Sequence, residues 1–417
     1  MHAYAGRAYI CRMYAPSMLF PPTQVKIPTS GLQSLECQKL SSTNEVTESH
    51  FPRLIATKNH VISFPRDITM PVSFVLSGRH IGPSHPPLVI AEIGINHEGE
   101  ISKAIKMIDD AKAAGCEVCK FQSHVIEDEM IPEAKNVIPG NTDVSIWEVM
   151  ERCALSEESE RILKEHVENQ GMIFLSTPFS RAAADRLESM RLCAYKIGSG
   201  ECNNYPLVRH IASFDKPVFL STGMNDIQSI TPAVEILREA NVPFCLMHST
   251  SIYLTPYSKV NLRALDVIAE AFPDAILGLS DHSKGIWTCI GACARGALVL
   301  EKHYVSDKSW PGPDIDVSID PAELASLRIA ANAVWEASQG KEKRIFDEER
   351  VTIDFAYSCV VTIKPIKAGE KFSMQNIWCK RPGTGEIKAK DFDSIIGQVS
   401  VSDVPNDVHL KWSDIRK

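Results

Sequence analysis

The sequence predicts an α/β protein built on a (β/α)8 barrel, with a small separate module after it. Short apolar runs alternate with amphipathic helical segments eight times within about 250 residues, which matches such a barrel in number and size. Several runs are continuously apolar, as expected for parallel strands covered on both faces. An open doubly wound sheet would suit six units better, and no GxGxxG follows the first run. The closed barrel is therefore the favoured architecture.

The elements follow from the positions of these runs. The eight predicted strands are Leu88–Glu92, Glu117–Gln122, Met172–Thr177, Ala194–Gly198, Val218–Thr222, Pro243–His248, Ile276–Ser280 and Leu298–His303. Amphipathic helices are predicted at Ile101–Ala114, Glu157–Gln170, Arg181–Met190 and Ile227–Ala240, and the last barrel helix at Pro321–Ser338.

The ends of the chain differ from the barrel region. Residues 1–69 are rich in proline, serine and threonine and keep no helix or strand period, so we expect a disordered extension or an upstream over-read of a gene that begins at Met70. The alternative is an organellar transit peptide, because the first 35 residues contain three basic residues and no acid. We predict the barrel over residues 70–340, a charged linker over 341–353 and a small domain over 354–417.

Composition narrows the class of protein. A net charge of −8 argues against nucleic acid as the main partner, and no apolar run approaches the roughly 20 residues that span a bilayer. The twelve cysteines are scattered, and the Cys116–Cys119 pair lacks the second pair that a zinc site needs, so we expect both thiols to be buried apolar groups. These features indicate a soluble enzyme of a reducing compartment, the cytoplasm.

Nearly every predicted strand ends in chemically reactive side chains. In chain order they are Glu92, Asn96 and His97; Lys120 and Gln122; Ser176 and Thr177; Lys196, Ser199 and Glu201; Ser221 and Thr222; His248, Ser249, Thr250 and Ser251; Ser280, Asp281 and His282; and Glu301 and His303. A single residue of this kind is more often a cap or a packing group. Eight successive strands that end this way predict an active site at the carboxyl ends of the strands, where (β/α)8 enzymes carry it.

Two lysines predict an anion pocket at this site. Lys120 and Lys196 would act as point charges for a phosphate and a carboxylate. The hydroxyl groups of Thr177, Ser199, Ser221 and Ser280 would add hydrogen-bond donors. The alternative is that each lysine merely pairs with Glu201 or Glu92, which is credible for one lysine and less so for two.

Histidines and one carboxylate complete the predicted chemistry. His282 and His303 end adjacent strands and could bind one divalent ion with positions left for water or substrate. Glu92 is the expected acid–base group, and its structural alternative is an ion pair with either lysine. His248 could line the site or pack beneath it, and we leave it out of the metal site.

The motifs of this chain resemble those of the sialic acid synthase family. The matching segments are Ala91–Gly99 (AEIGINHEG), Lys120–Gln122 (KFQ), Ser176–Ser180 (STPFS), Lys196–Glu201 (KIGSGE), Ser221–Asn225 (STGMN), Leu279–Ser283 (LSDHS) and Pro311–Asp314 (PGPD). They occur in the family's order from about residue 72 onward. The C-terminal module resembles the antifreeze-like SAF domain that these N-acetylneuraminate synthases carry.

The resemblance implies a metal-dependent condensation of phosphoenolpyruvate with N-acetylmannosamine. It implies that Glu92 is catalytic and that His282 and His303 bind the metal, with Mn²⁺ the first choice and Mg²⁺ or Co²⁺ as alternatives. The implied phosphoenolpyruvate-binding residues are Lys120, Thr177, Lys196, Ser199, Ser221, Ser251 and Ser280. The implied sugar-binding residues are Gln122, Tyr253, Glu301, Asp314, Phe355 and Arg381. It also implies a homodimer in which the small domain is swapped, so that Arg381 of Lys380–Gly383 (KRPG) reaches the partner's sugar site.

The chain departs from the family pattern in two places. Ser249 and Ser251 stand where many relatives have Cys and Asn or Ser, and Leu254 replaces the usual proline. Pro311–Ile315 reads PGPDI, where many relatives have PGPDH. This variant, together with Glu201–Pro206 (ECNNYP), favours N-acetylneuraminate as the product.

Three other functions remain open from the sequence. The nearest is a legionaminate or pseudaminate synthase that takes a 2,4-diacetamido-6-deoxyhexose. A metal-dependent barrel hydrolase would explain the histidines, but it gives no reason for two strand-end lysines. An interaction or ice-binding protein built on the small module would leave the polar strand ends unexplained.

Overall fold

The computed structural model describes residues 73–340 and 342–416. The predicted extension at residues 1–69 lies outside these residues. The described part begins with an antiparallel hairpin of strands Phe74–Leu76 and Arg79–Ile81. The side chains of Phe74, Leu76 and Ile81 are buried with the inward-facing residues at the start of the barrel strands. The hairpin therefore closes the bottom of the barrel.

Eight parallel strands form a nearly closed barrel, which confirms the predicted fold class. They are Leu88–Gly94, Val118–Ser123, Ile173–Pro178, Tyr195–Ile197, Val218–Ser221, Phe244–Ser249, Ile276–Asp281 and Val299–His303. Each strand pairs in parallel with the next along the chain, except between the third and the fourth, and the eighth pairs back onto the first. The third and fourth strands lie side by side and complete the ring.

Helices cover the outside of the barrel. Their bounds are Ile101–Ala113, Ile126–Glu129, Ile146–Cys153, Glu157–Asn169, Arg181–Ser189, Tyr205–Ala212, Ile227–Glu239, Tyr257–Val260, Ala264–Ala271, Trp287–Ala294 and Pro321–Ala337. Single turns of 3-10 helix occur at Ser199–Glu201 and Ile315–Val317, and a longer one at Pro132–Asn136. The last long helix begins at a capping box between Asp320 and Glu323 with Pro321 at its first position, a strong start signal. No helix within the described ranges combines the length and apolar character needed to cross a bilayer.

Strand alternation decides which side chains enter the barrel. In the first strand Leu88 and Ile90 belong to the inner core, whereas Val89, Ala91 and Ile93 pack against the helices. Because successive side chains point to opposite faces, the next inward residue after Ile90 is Glu92. The apolar interior thus gives way to a polar layer at the carboxyl ends of the strands.

The C-terminal module has a core of its own. Its short helix Arg350–Ala356 precedes two antiparallel strands, Cys359–Thr362 and Ile377–Lys380, and a helical turn follows at Phe392–Ile395. Further 3-10 turns lie at Asp347–Glu349, Ala389–Asp391 and Trp412–Asp414. The core side chains are Val360, Ile366, Phe372, Ile377, Ile387, Ile395, Val404, Leu410 and Ile415. The helix crosses the predicted boundary between linker and module at residue 353.

Candidate active site

Four charged side chains meet inside the mouth of the barrel. The Lys120 ammonium lies 2.6 Å from Glu92 Oε2 and 3.7 Å from Glu301 Oε2. The Lys196 ammonium lies 3.4 Å from Glu301 Oε1. All four side chains are buried. Glu301 therefore bridges the two lysines, whereas Glu92 pairs with only one of them, Lys120.

This arrangement separates the pKa values of the two carboxyl groups. Burial raises the pKa of Glu92, and the Lys120 charge only partly opposes it. Burial also acts to raise the pKa of Glu301, but the charges of Lys120 and Lys196 outweigh it and hold that pKa below its ordinary value. Glu301 is thus the fixed anion of the site, and Glu92 is the carboxyl group suited to exchange a proton.

Hydroxyl groups surround the lysines as the sequence predicts. Thr177 accepts a hydrogen bond from Lys120 at 3.0 Å, and Ser280 donates one to Glu301 at 3.0 Å. The hydroxyl of Ser221 is buried without a hydrogen-bond partner among the described residues. Such a buried hydroxyl group without a partner is suited to a ligand oxygen.

Ser199 and Ser251 meet at the backbone of Gly223. The Gly223 N–H donates to Ser199 Oγ at 3.0 Å. A methyl group added at Gly223 would lie 2.8 Å from Ser199 Oγ and 2.4 Å from Ser251 Oγ, closer than carbon–oxygen contacts allow. Glycine at 223 therefore lets both hydroxyl groups approach the same point of the backbone.

The alternative pairing of the lysines is resolved by the same geometry. Among the described residues Glu201 forms no ion pair with either lysine, and its Oε2 accepts a hydrogen bond from Asn204 at 2.6 Å. Lys120 does pair with Glu92, as the structural interpretation expected, but both lysines also share Glu301. The two lysines thus share one carboxylate, and hydroxyl groups of Thr177 and Ser280 contact the same cluster.

His282 and His303 face each other at the mouth, with ring centroids 5.4 Å apart. His282 Nδ1 hydrogen-bonds the Thr250 carbonyl at 2.9 Å, which places its proton on Nδ1 and leaves Nε2 as a lone-pair donor. Burial lowers the pKa of both imidazoles, so both are neutral, the form that binds metals. The Tyr253 ring lies 4.2 Å from that of His282. The pair fits a divalent ion with open positions, although no cluster of three or more potential ligands occurs among the described residues.

Asp314 approaches this pair from the loop after the eighth strand. Its Oδ2 lies 3.6 Å from His303 Nδ1, and burial followed by the Glu92 charge raises the pKa of the carboxyl to about 7. Asn141 fixes the loop through a hydrogen bond to the Pro313 carbonyl at 3.2 Å. The carboxyl group thus borders His303 and lies within the influence of Glu92.

Comparison with known proteins identifies the family. The model of the NeuB family matches residues 107–343, more than half of the chain, and that of the SAF domain matches residues 357–416. The chain belongs to the NeuB family. An uncharacterized protein of Methanocaldococcus jannaschii is 36% identical over 82% of this chain and 98% of its own. The N,N'-diacetyllegionaminic acid synthase of Campylobacter jejuni is 33% identical over 77% of this chain and 97% of its own.

Among solved structures, this NeuB-family chain is similar to the N-acetylneuraminic acid synthetase of Leptospira borgpetersenii. The two share 29% identity with a TM-score of 0.63, over 68% of this chain and 96% of the other. Both the barrel and the resemblance inferred from the motifs are thereby confirmed, and the C-terminal module is a SAF domain.

The structure brings most of the predicted site residues of this NeuB-family protein together, but not all. Gln122, Tyr253, Glu301 and Asp314 lie at the mouth with the lysines and histidines. Phe355 and Arg381 are exposed on the C-terminal module. Within the described part of the chain, Arg381 makes no hydrogen bond or ion pair with a side chain of the mouth. Its contact with the sugar site of a partner subunit stays a prediction.

Sequence reasoning missed an ion pair behind the mouth. Lys302, wholly buried, donates to Asp281 Oδ2 at 2.7 Å. Both residues follow the alternation that points them outward, as does His248, whose Nε2 lies 2.7 Å from the Val260 carbonyl. The alternation of side chains along each strand was the available signal. Inward-pointing side chains form the site, whereas outward-pointing side chains lie behind it and pack against the neighbouring elements. Cys116 and Cys119 are buried free thiols, as predicted.

Proposed function

We propose that this protein is an N-acetylneuraminate synthase, which condenses phosphoenolpyruvate with N-acetylmannosamine and releases phosphate. The observation that carries the proposal is the position of Glu92. It is a buried carboxyl group with a raised pKa, next to the lysine pocket and at the same mouth as a pair of neutral histidines. The reaction needs these three features: an anion site, an acid–base group and a site that polarises a carbonyl oxygen.

The lysine pocket would hold phosphoenolpyruvate. Lys120 and Lys196 supply the positive charge for its carboxylate and phosphate, and the free hydroxyl of Ser221 supplies a donor. Thr177, Ser199, Ser251 and Ser280 would complete the contacts. Serine at position 251 has a shorter side chain than the asparagine of many relatives, and its hydroxyl group lies close to Gly223.

The proton balance of the reaction assigns the role of Glu92. The C3 carbon of phosphoenolpyruvate forms a bond to the aldehyde carbon, whose oxygen becomes a hydroxyl group and takes up a proton. Water adds at C2 and loses a proton, and the C–O bond to phosphate then breaks. Glu92 can supply the first proton from its neutral form and accept the second as a carboxylate, because burial brings the two forms closer in free energy.

A divalent cation, Mn²⁺ by preference with Mg²⁺ or Co²⁺ as alternatives, would be held by His282 and His303 and would polarise the aldehyde oxygen as a Lewis acid. The sugar would lie between this pair and Gln122, Tyr253, Glu301 and Asp314. A domain-swapped homodimer would bring Arg381 and Phe355 of the partner subunit to the open side of the sugar site.

The ten cysteines of the described residues are all free thiols, which supports a reducing location, the cytoplasm.

The second candidate is a legionaminate or pseudaminate synthase, favoured by the 33% identity to the Campylobacter jejuni enzyme. The test offers N-acetylmannosamine and the two 2,4-diacetamido-6-deoxyhexoses in parallel to the manganese-loaded enzyme and identifies each product by mass. Preferred conversion of N-acetylmannosamine supports the first function. Conversion of only a diacetamido sugar would keep the reaction and replace the substrate.

A further inference from the structure

A chain of hydrogen bonds leads from Glu92 away from the barrel mouth. Gln122 Nε2 donates to Glu92 Oε1 at 3.1 Å. The other end of the same amide, Gln122 Oε1, lies 3.2 Å from His124 Nε2. His124 Nδ1 lies 2.7 Å from Glu129 Oε2. The four side chains are thus connected in sequence, with Glu129 at the outer end.

The His124 ring is held in one place. It is buried and stacks on Phe179, with ring centroids 4.7 Å apart and planes inclined by 13°. Of the charged or titratable groups that influence it, Glu129 alone among the described residues is hydrogen-bonded to the ring. His97 and Glu160 act only through space, and Glu160 is paired with Arg186 at 3.4 Å. Packing and one carboxylate therefore fix this imidazole.

The direction of the hydrogen bonds follows from the acceptors at the two ends. An ionised carboxylate can only accept, so Glu129 requires a proton on His124 Nδ1 and Glu92 requires the NH₂ end of Gln122. The carbonyl end of Gln122 then faces His124 Nε2 and requires a proton there as well. A proton on Nε2 thus serves the Gln122 carbonyl, and the Glu129 carboxyl group holds the opposite side of the ring.

We propose that His124, anchored by Glu129, is a positioning residue that fixes the amide of Gln122 so that its NH₂ group faces Glu92. Without the ring, the amide of Gln122 is free to rotate and present its oxygen to the Glu92 carboxylate, which removes a donor and adds repulsion. Glu92 would then be held by Lys120 alone. The hydrogen-bond chain stands independently of the reaction, whereas its kinetic consequence rests on the proposed function.

Nuclear magnetic resonance of the full-length protein tests the chain without turnover. In protein labelled with ¹⁵N at histidine, the signal that disappears in His124→Phe belongs to this ring. In the wild type the Nε2 atom of this ring is expected to carry the proton that the Gln122 carbonyl accepts. A ring whose Nε2 carries no proton would overturn the proposal, whatever reaction the protein performs.

Kinetics tests the positioning role. His124→Phe retains the aromatic stack and should lower kcat about tenfold while the KM for phosphoenolpyruvate stays within about twofold. His124→Gln restores a donor near the position of Nε2 and should recover most of the loss. The matched control is His166→Phe. His166 lies in the outer layer with its Nε2 2.7 Å from a carboxylate oxygen, that of Asp109, and its replacement should leave kcat and KM unchanged.

A double-mutant cycle separates positioning from a general structural effect. If His124 acts through Gln122, His124→Phe should cost nothing further in a Gln122→Met background. Full additivity of the two losses, or unchanged kcat in His124→Phe, would overturn the proposal. A wild-type protein without turnover on any sugar would contradict the proposed function instead, and the ring protonation would still decide the inference.

Discussion

The Lys120 ammonium lies 2.6 Å from Glu92 Oε2, and each side chain is only 2% exposed. Two opposite charges at this distance and depth interact far more strongly than a surface pair. Lys120 also reaches Glu301, so it cannot neutralise Glu92 fully, and burial still raises the pKa of Glu92. This imbalance is what suits Glu92 to proton transfer.

Replacing Glu92 should remove turnover and leave the fold. Glu92→Gln keeps the size of the side chain and loses the exchangeable proton, so kcat should fall about 10²- to 10⁴-fold. Phosphate release measures the change, and the thermal unfolding midpoint checks the fold. Glu160→Gln is the matched control, because Glu160 is also buried but lies outside the mouth. Activity within a few-fold of wild type in Glu92→Gln would show that the acid–base assignment is wrong.

The metal assignment predicts which histidines matter for binding. His282→Ala and His303→Ala should each weaken Mn²⁺ binding more than about tenfold, because each removes one of two protein ligands. Titration calorimetry with Mn²⁺ measures this directly. His248→Ala should bind Mn²⁺ as the wild type does, since His248 points outward and hydrogen-bonds the Val260 carbonyl. Unchanged binding in both ligand variants would exclude this pair as the site.

The swapped arrangement can be tested with mixed dimers. We expect Arg381→Ala to raise the KM for the sugar more than that for phosphoenolpyruvate. A dimer of one Glu92→Gln chain and one Arg381→Ala chain, purified through two different tags, then contains one intact site if Arg381 serves its partner. Its turnover should be about half that of the wild type. If Arg381 serves its own barrel, both sites are damaged and turnover should fall to that of the single variants.

His97 predicts a pH dependence of stability. It is 1% exposed, and burial lowers its pKa from 6.5 to about 4. The unfolded chain therefore binds a proton below about pH 6.5 that the folded chain does not, so stability falls as the pH drops from 6.5 towards 4.

His97→Asn keeps an acceptor for the Gly99 N–H, 3.0 Å away in the wild type, but cannot titrate. The difference in unfolding free energy between wild type and variant should shrink by about 2 kcal/mol between pH 7.5 and pH 5. Urea unfolding at both pH values measures it. A difference that stays constant with pH would show that folding does not lower the pKa of His97.

Much of the site could be predicted because its residues lie at the carboxyl ends of the strands and at positions that alternate towards the inside of the barrel. Glu92 is the next inward-facing residue after Ile90 in its strand. The same alternation points Lys120 and Lys196 inward, so the positions of the apolar runs were enough to locate the mouth. The role of Glu301 as a bridge could not be predicted, because it depends on distances between three strands. His124 was missed because it follows the strand Val118–Ser123, and its contact to Glu129 arises only at the end of the short helix Ile126–Glu129. The partner of Arg381 cannot be read from one chain at all.

We expect the sugar and phosphoenolpyruvate to react at this mouth with cleavage of the C–O bond. The direct measurement uses phosphoenolpyruvate carrying ¹⁸O in the bridging oxygen, with N-acetylmannosamine and Mn²⁺, and determines where the label appears. We predict that phosphate is released only when both sugar and metal are present, and that it carries the label. Phosphate release without the sugar, or released phosphate without the label, would show that the protein does not perform this reaction.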